Sequence, residues 1–304
     1  MKIVAIVLTR NEEKHLARCI ASIREVTDHI VVIDCFSSDF TVDIASAQGV
    51  RVAQRQWINH SNQFNWALSQ LDPDTEWVIR IDADEVLTTE LIEEVRCNLT
   101  KFGPDVHGVY CGRRIIFLGK PIRYGGLFPV RVLRIFRYGQ GHCENRWMDE
   151  HIKVVGSTAD FAGEIVDENL NSLTWWINKH NTYASREAVD LLNLEYHFMP
   201  HDSVAKLFGG KQTGIKRWIK EYIYARIPLG LRALVYFFYR YVLRMGFLDG
   251  RIGTIFHFLQ GFWYRFLVDA KIYEVKRYMI EHRVDVKEAI EKVLNIKVAD
   301  MNLS

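Results

Sequence analysis

The 304-residue chain has five cysteines, Cys19, Cys35, Cys97, Cys111 and Cys143, scattered and never in a C-x-x-C pair. Their scarcity excludes a disulfide framework and argues against a structural zinc site. It also places the chain in a reducing, cytosolic compartment. No run of about 18 residues is apolar and free of charge, so no simple membrane-spanning helix is expected. The opening MKIVAIVLTRNEE does not read as a secretory signal, because its apolar run is brief and meets Thr9–Arg10–Asn11 with no small-residue cleavage site after it. Long linkers, internal repeats and low-complexity tracts are missing as well. So is net charge, with 39 basic against 37 acidic residues. What remains is 49 % apolar and 25 % charged, which fits a globular protein and excludes a disordered or collagen-like one. The length admits one large domain, or one domain with an accessory part.

The small net charge of +2 hides an asymmetry. Between Lys211 and His282 there are 13 Lys or Arg against 5 Asp or Glu, and 17 of the chain's 38 aromatic residues. A basic, aromatic segment on a slightly acidic body suggests an anionic partner, foremost a membrane surface or phosphorylated lipid. No nucleic-acid fold signature accompanies the charge, so nucleic acid is not expected.

Lys2 to Leu8 is a short β-branched run, the pattern of a strand buried on both faces. His29 to Ile33, Val50 to Ala53 and Trp77 to Ile81 repeat it. Between them, Glu12 to Val26, Asp39 to Gln48 and Ser61 to Leu71 carry apolar residues at helical spacing, with Ser61 as the expected N-cap of the third. Strands alternating with helices imply a parallel α/β sheet, and ligands then bind beyond the carboxyl ends of the strands. Thr9–Arg10–Asn11, Asp34 and Asp82–Ala83–Asp84–Glu85 stand at those ends. After a helix at Thr89 to Leu99, strands are expected at Val106 to Leu118, Arg131 to Phe136 and His151 to Val155. From about Leu170 the pattern is helical.

Asp82 and Asp84 are the sharpest chemical feature. Two carboxylates one residue apart where a strand breaks can face a divalent cation and its phosphate ligands, and hard oxygen donors suit Mg²⁺ or Mn²⁺. The plain alternative is a solvated acidic loop before a helix. Asp34 can accept a hydrogen bond from a base or ribose, or cap a turn. Arg113, Arg114, Lys120, Arg123, Arg131, Arg134 and Arg137 form a cationic strip. They either hold a phosphate, with Arg134 foremost, or line a solvated strand face. Trp147 stacks on a sugar or belongs to the core.

The series IVLTRNEE, VVIDCFSSDFT, QFNWAL and WVIRIDADE resembles family-2 inverting glycosyltransferases in order and spacing. GGLFPVRVLRIFR, WMDEHIKVVG and KHNTYASREA, together with the C-terminal run from Arg240 to Glu274, resemble the branch that builds lipopolysaccharide cores, capsules and related glycolipids. The resemblance implies a GT-A, Rossmann-like nucleotide-sugar-binding domain over residues 1–166. A helical, membrane-associating part follows over 167–304. It implies that Thr9, Asn11 and Glu12 line the nucleotide pocket and that Asp34 receives the base N–H. Gln63 and Asn65 sit near the donor, Asp82 and Ala83 approach the ribose or metal, and Asp84 ligates the metal. Glu150 matches the general base, with Asp149 as its rival. Asp149 and Asp167 depart from the histidines usual at those positions, which touches the acceptor side.

The implied reaction transfers a sugar with inversion from a nucleotide-diphosphate sugar, a UDP-sugar first, to a hydroxyl of a lipid-linked saccharide. Other readings are a non-catalytic nucleotide-sugar or lipid-binding module, or transfer to a soluble or protein acceptor. A nucleotidyltransferase would carry a glycine-rich phosphate loop, and Leu8 to Glu12 has no glycine. Ile227 to Leu248, interrupted by Arg232, Arg240 and Arg244, fits an amphipathic helix lying in a membrane interface better than one crossing it. The expected location is cytoplasmic, peripheral on the inner face of the cell membrane.

Overall fold

The computed structural model describes residues 1–144, 151–199 and 228–297. Trp147, Asp149 and Glu150 lie outside the described residues, as do the cationic side chains from Lys211 to Arg226. The chain forms two compact units, Met1–Asn171 and Ser172–Ser304.

The first unit runs β1 (Ile3–Thr9), α1 (Leu16–Arg24), β2 (Ile30–Asp34), α2 (Thr41–Ala47), β3 (Arg51–Gln54), α3 (His60–Ser69), β4 (Trp77–Asp82), β5 (Glu85–Leu87), α4 (Thr89–Asn98), β6 (Val106–Phe117), β7 (Lys120–Pro121), β8 (Val130–Arg137), β9 (Gly141–Cys143), β10 (Ile152–Val154) and β11 (Ser157–Glu168). Among the described residues its main sheet has nine strands in the order β3-β2-β1-β4-β8-β6-β11-β5, with β7 on β6. β3, β2, β1 and β4 are parallel, as their apolar runs predict. β8 then enters antiparallel to both β4 and β6 and makes the sheet mixed.

The pleat sends alternate residues of β1 into two apolar layers. Ile3, Ala5 and Val7 join Leu16, Ile20 and Ile23 of α1 and Leu91 and Val95 of α4. Val4 and Ile6 join Phe64, Ala67 and Leu71 on and just after α3. Because the strands are parallel, their carboxyl ends align: Thr9 pairs with Asp34 on one side and Leu8 with Asp82 on the other.

Two local expectations change. The N-cap of α3 is Asn59, whose side chain accepts from the Asn62 N–H at 2.7 Å, and Ser61 lies inside the helix. No strand was expected after Val155, yet the twelve-residue β11, with Phe161 and Ile165 in the apolar layer, runs parallel to β6 and antiparallel to β5. Its Glu164 and Asp167 pair with Arg114 and Arg113 of β6, its Asp160 with Arg131 of β8 and its Glu168 with Arg18 of α1. Gly163 lets β11 press on α4: a Cβ there would stand 2.4 Å from the Leu91 backbone.

The second unit comprises α5 (Leu173–Tyr196), α6 (Leu231–Phe238), α7 (Gly250–Phe256), α8 (Tyr264–His282) and α9 (Val286–Leu294), with π-helical turns at Tyr239–Leu243 and His257–Trp263. Glu187 of α5 accepts from the Tyr264 hydroxyl at 2.7 Å and pairs with Arg265, which ties α5 to α8. No helix among the described residues is long and apolar enough to cross a membrane.

The expected orientation of the arginines needs correction. Arg232 and Arg240 are buried, the first against Asp269 and the second against Gln260 and His257, while Leu231, Leu234, Val235 and Phe238 are exposed. An unpaired buried guanidinium is costly, so the arginines turn toward their partners and the apolar stripe turns outward.

Candidate active site

At the ends of β1 and β2 the side chains knit into one nest. Asp34 is fully buried and accepts from the Thr9 hydroxyl at 3.1 Å, the Ser37 N–H at 2.9 Å and Gln54 Nε2 at 3.0 Å. Asn11 adopts a positive φ of 57°, a conformation Asn tolerates better than most residues. Its Oδ1 accepts from the Ser38 N–H and its own N–H donates to Ser37 Oγ, each at 2.8 Å. The Glu12 N–H donates to Thr41 Oγ1 at 2.7 Å, and Asp39 holds the start of α2 by accepting from the Thr41 N–H at 3.0 Å. Glu12 Oε2 lies 2.6 Å from Nδ1 of the buried His15, whose Nε2 accepts from the Leu170 N–H at 2.8 Å. That second bond fixes the tautomer, with the proton on Nδ1. Thr9, Asn11, Glu12 and Asp34 are thus brought together at one end of the sheet.

The second group lies one strand over, at the end of β4. Arg134 reaches in from β8, 5 % exposed, and donates through Nη2 to Asp82 Oδ2 at 2.9 Å and Glu85 Oε1 at 2.6 Å. Arg80 stands 3.8 Å from Asp82 Oδ1, and Glu85 Oε2 accepts from the Asp82 N–H at 2.9 Å. Arg113 of β6 is held at 3.0 Å by Asp167 of β11 and lies 3.6 Å from Glu85. Burial works against the Asp82 carboxylate, but the charges of Arg134 and Arg80 outweigh it and hold it well below the usual carboxylate range. Glu85 moves the other way: burial, reinforced by Asp82, raises it despite Arg134. Burial and the neighbouring Arg80 lower His60 to about 4. Its imidazole is therefore neutral near pH 7, and its Nε2 lies 3.0 Å from Arg80 Nη2.

Ala83 is buried and Asp84 is half-buried at the turn between β4 and β5. The Asp84 carbonyl accepts from the Glu168 N–H at 3.1 Å and Arg18 Nη2 at 3.2 Å, and its Oδ2 accepts from Asn169 Nδ2 at 3.1 Å. Among the described residues no group of three or more His, Cys, Asp or Glu is placed to hold a metal. The donor chemistry separates the two aspartates. Asp82 is engaged by two arginines. The Asp84 carboxylate accepts from the neutral Asn169 amide and keeps oxygen capacity at a fixed turn. A Mg²⁺ or Mn²⁺ ion that takes one protein carboxylate, with phosphate and water completing its shell, fits Asp84.

Other expected site residues are used differently. Arg134 was expected to meet a phosphate but is absorbed by Asp82 and Glu85. Gln63 is buried and donates to the Arg55 carbonyl at 3.3 Å. Asn65 exchanges two hydrogen bonds with the Cys143 backbone, at 2.8 and 2.9 Å, and so fastens α3 to β9. Within the cationic strip Arg114 pairs with Glu164, Arg131 with Asp160, and Arg137 lies 4.6 Å over the Trp77 ring, while Lys120 and Arg123 are exposed. His15, Arg18, Arg80 and Asn169 stood outside the expected set. β11 delivers Asp167, Glu168 and, just after it, Asn169 to the acid turn, where Arg18 pairs with Glu168, while Arg80 lies on β4 itself.

Residues 4–152 match the family described as Glycosyl transferase family 2. An uncharacterised glycosyltransferase of Rickettsia conorii is 37 % identical over 201 residues, which are 63 % of this chain and 71 % of the relative. The lipopolysaccharide core biosynthesis glycosyltransferase LpsC of Rhizobium meliloti is 28 % identical over 145 residues, 46 % of this chain and 52 % of LpsC. Among solved structures, Staphylococcus aureus TarS 1–349 in complex with UDP-GlcNAc matches with a TM-score of 0.43 at 16 % identity, covering 91 % of this chain and 92 % of that one. The mixed α/β sheet, with Asp34 and Asp82 at the carboxyl ends of its parallel strands, is GT-A-like. This chain belongs to glycosyltransferase family 2.

Proposed function

We propose that the chain is an inverting glycosyltransferase that moves a sugar from a UDP-sugar to a hydroxyl of a lipid-linked saccharide in lipopolysaccharide or polysaccharide biosynthesis. The observation that carries this reading is the gathering of Asp34 and of Asp82–Asp84 on either side of β1, at the carboxyl ends of parallel strands. The likeness to LpsC supports the acceptor class. Thr9, Asn11 and Glu12 line the nucleotide site. Asp34 takes the base N–H in exchange for one of its present donors. Asp82, kept ionised by Arg134 and Arg80, faces the ribose with Ala83. Gln63 and Asn65 hold α3 and β9 beside the donor.

In a single displacement the acceptor oxygen bonds to the anomeric carbon, the bond from that carbon to the diphosphate breaks, and UDP departs. Glu150 takes the acceptor proton, Asp149 is its rival, and Trp147 stacks on the sugar; all three lie outside the described residues. Asp84 would hold a Mg²⁺ or Mn²⁺ ion, which would supply counter-charge for the leaving diphosphate. The catalytic role is assigned to the first unit, which extends past the expected boundary at 166 because β11 runs to Glu168, and the second unit is the helical part, with the protein peripheral on the cytoplasmic face of an anionic membrane.

The test is UDP release from a panel of UDP-sugars offered with lipid-linked saccharide extract. Glu150→Gln should lower kcat about 10²-fold or more while donor binding persists. If Asp149→Asn is the inactive variant and Glu150→Gln stays active, the base is one residue away. Full turnover in excess chelator would overturn the metal assignment.

A further inference from the structure

The second unit contains a helical hairpin whose chemistry is turned inside out. α6 and its π-helical extension run back against the segment from Gly250 to Trp263: Phe237 meets Phe258 and Phe262, and the Tyr241 hydroxyl lies 2.9 Å from Thr254 Oγ1. The joining turn, Val242 to Asp249, is closed from within. His257 is fully buried, with Nε2 3.0 Å from Asp249 Oδ2 and Nδ1 3.4 Å from Arg240 Nη2. Gly246 lies against that imidazole, where a Cβ would come within 2.8 Å of it. The ionic groups of the hairpin arms are thus drawn inward: Arg232 onto Asp269, Arg240 onto Gln260 and His257, and Asp249 onto His257.

Outside stands the opposite chemistry. Val242, Leu243, Met245, Phe247 and Leu248 are 41–62 % exposed within seven consecutive residues, and Leu231, Leu234, Val235 and Phe238 continue the apolar surface along α6. Between residues 228 and 258 the exposed charged side chains are Arg244, within the turn, and Arg251, just after it, both cationic. A protein surface of this size and composition marks an interaction site. Bulky apolar side chains accompanied along this stretch by exposed cations match a bilayer of anionic lipid, with acyl chains for the apolar residues and headgroup phosphates for the arginines.

We infer that the turn Val242–Leu248 is a membrane-insertion tip that seats the protein in the interfacial layer of an anionic bilayer. The inference rests on the membrane-associated reading above and changes its physical basis. Attachment comes chiefly from apolar insertion at one turn, because Arg232 and Arg240 are spent inside the unit. Salt therefore weakens binding through Arg244 and Arg251 but does not abolish it.

The experiment is co-sedimentation of the full chain with vesicles of phosphatidylglycerol and phosphatidylethanolamine, and with neutral phosphatidylcholine vesicles. UDP-sugar hydrolysis is followed in parallel as an independent readout of the catalytic unit. The wild-type chain should sediment with the anionic vesicles and keep a bound fraction at high salt. Leu243→Asp with Leu248→Asp should reduce partitioning about tenfold or more. The milder pair Leu243→Ser and Leu248→Ser should reduce it by a smaller factor, with circular dichroism unchanged in both. Arg244→Ala with Arg251→Ala should lower binding only to the anionic vesicles. Hydrolysis should persist throughout, so its loss in the wild type would count against the glycosyltransferase reading and leave the tip untouched. Failure of the wild-type chain to bind either vesicle would overturn the inference. So would binding unaffected by the aspartate pair, or a tip that changes only the oligomeric state in light scattering.

Discussion

Arg134 shows how much one side chain decides. It bridges Asp82 and Glu85 at 2.9 and 2.6 Å from inside the sheet. Arg134→Met is expected to destabilise the fold by about 3–5 kcal/mol, because two acidic side chains lose a buried counter-charge. Arg134→Lys should recover part of that loss but not the two-acid bridge. Chemical denaturation measures both, and a wild-type midpoint for Arg134→Met would contradict the placement. His60 gives a second check. Its folded value of about 4 lies below the ordinary 6.5, so the unfolded chain binds more protons across that window. Stability should fall as the pH drops from about 6.5 toward 4, by up to about 1.4 kcal/mol per pH unit from this group. An NMR titration of the His60 ring checks the premise, and a midpoint near 6.5 would contradict it. From the sequence, Asp34, Asp82 and Asp84 were legible because polar residues ending buried apolar runs have few other reasons to be there. The partners of Arg134 were not, since an arginine on a strand reads equally as a phosphate contact, a solvated face or an internal counter-ion until the neighbouring strand is known.

Among the elements, the parallel strands β1, β2 and β4 and their helices followed directly from β-branched runs and helical spacing. α3 shows where that reading slips. Ser61 and Asn59 are both good caps by type, and only the extended backbone at Asn59 decides between them. Asn59→Ala should therefore cost about 1 kcal/mol and Ser61→Ala less, as thermal denaturation can establish; the reverse order would restore Ser61 as the cap. β11 was missed for a different reason. Its apolar alternation is short, with Phe161 and Ile165 buried, and its acids oppose arginines across the strand pair, Arg113 meeting Asp167 and Arg114 meeting Glu164, so a polar-looking stretch is an interior strand. Gly163→Ala tests the seat of β11 on α4. A Cβ there meets the Leu91 backbone, which cannot swing aside as a side chain can, and a lower melting temperature is expected.

Across the whole chain, the 39 basic and 37 acidic residues nearly balance in total though not segment by segment, and the buried charges described below are paired locally. In the first unit arginines of β6 and β8 are matched by acids of β5, β4 and β11. In the second unit Arg232 and Arg240 are drawn inside, which composition alone had assigned to a membrane-facing surface. Periodicity locates a helix, but it does not say which of its faces is inward when the inward face is ionic.

The central claim is that the acid turn of the first unit supports inverting transfer from a nucleotide sugar. Its most direct test is the anomeric configuration of the first-formed sugar product, read by NMR from the purified chain with an α-linked UDP-sugar, beside Asp84→Asn. The account predicts a β-configured product from the wild-type chain and a rate lowered about 10²-fold or more in Asp84→Asn, with fold intact. An α-configured product, or an Asp84→Asn variant as fast as wild type, would contradict it.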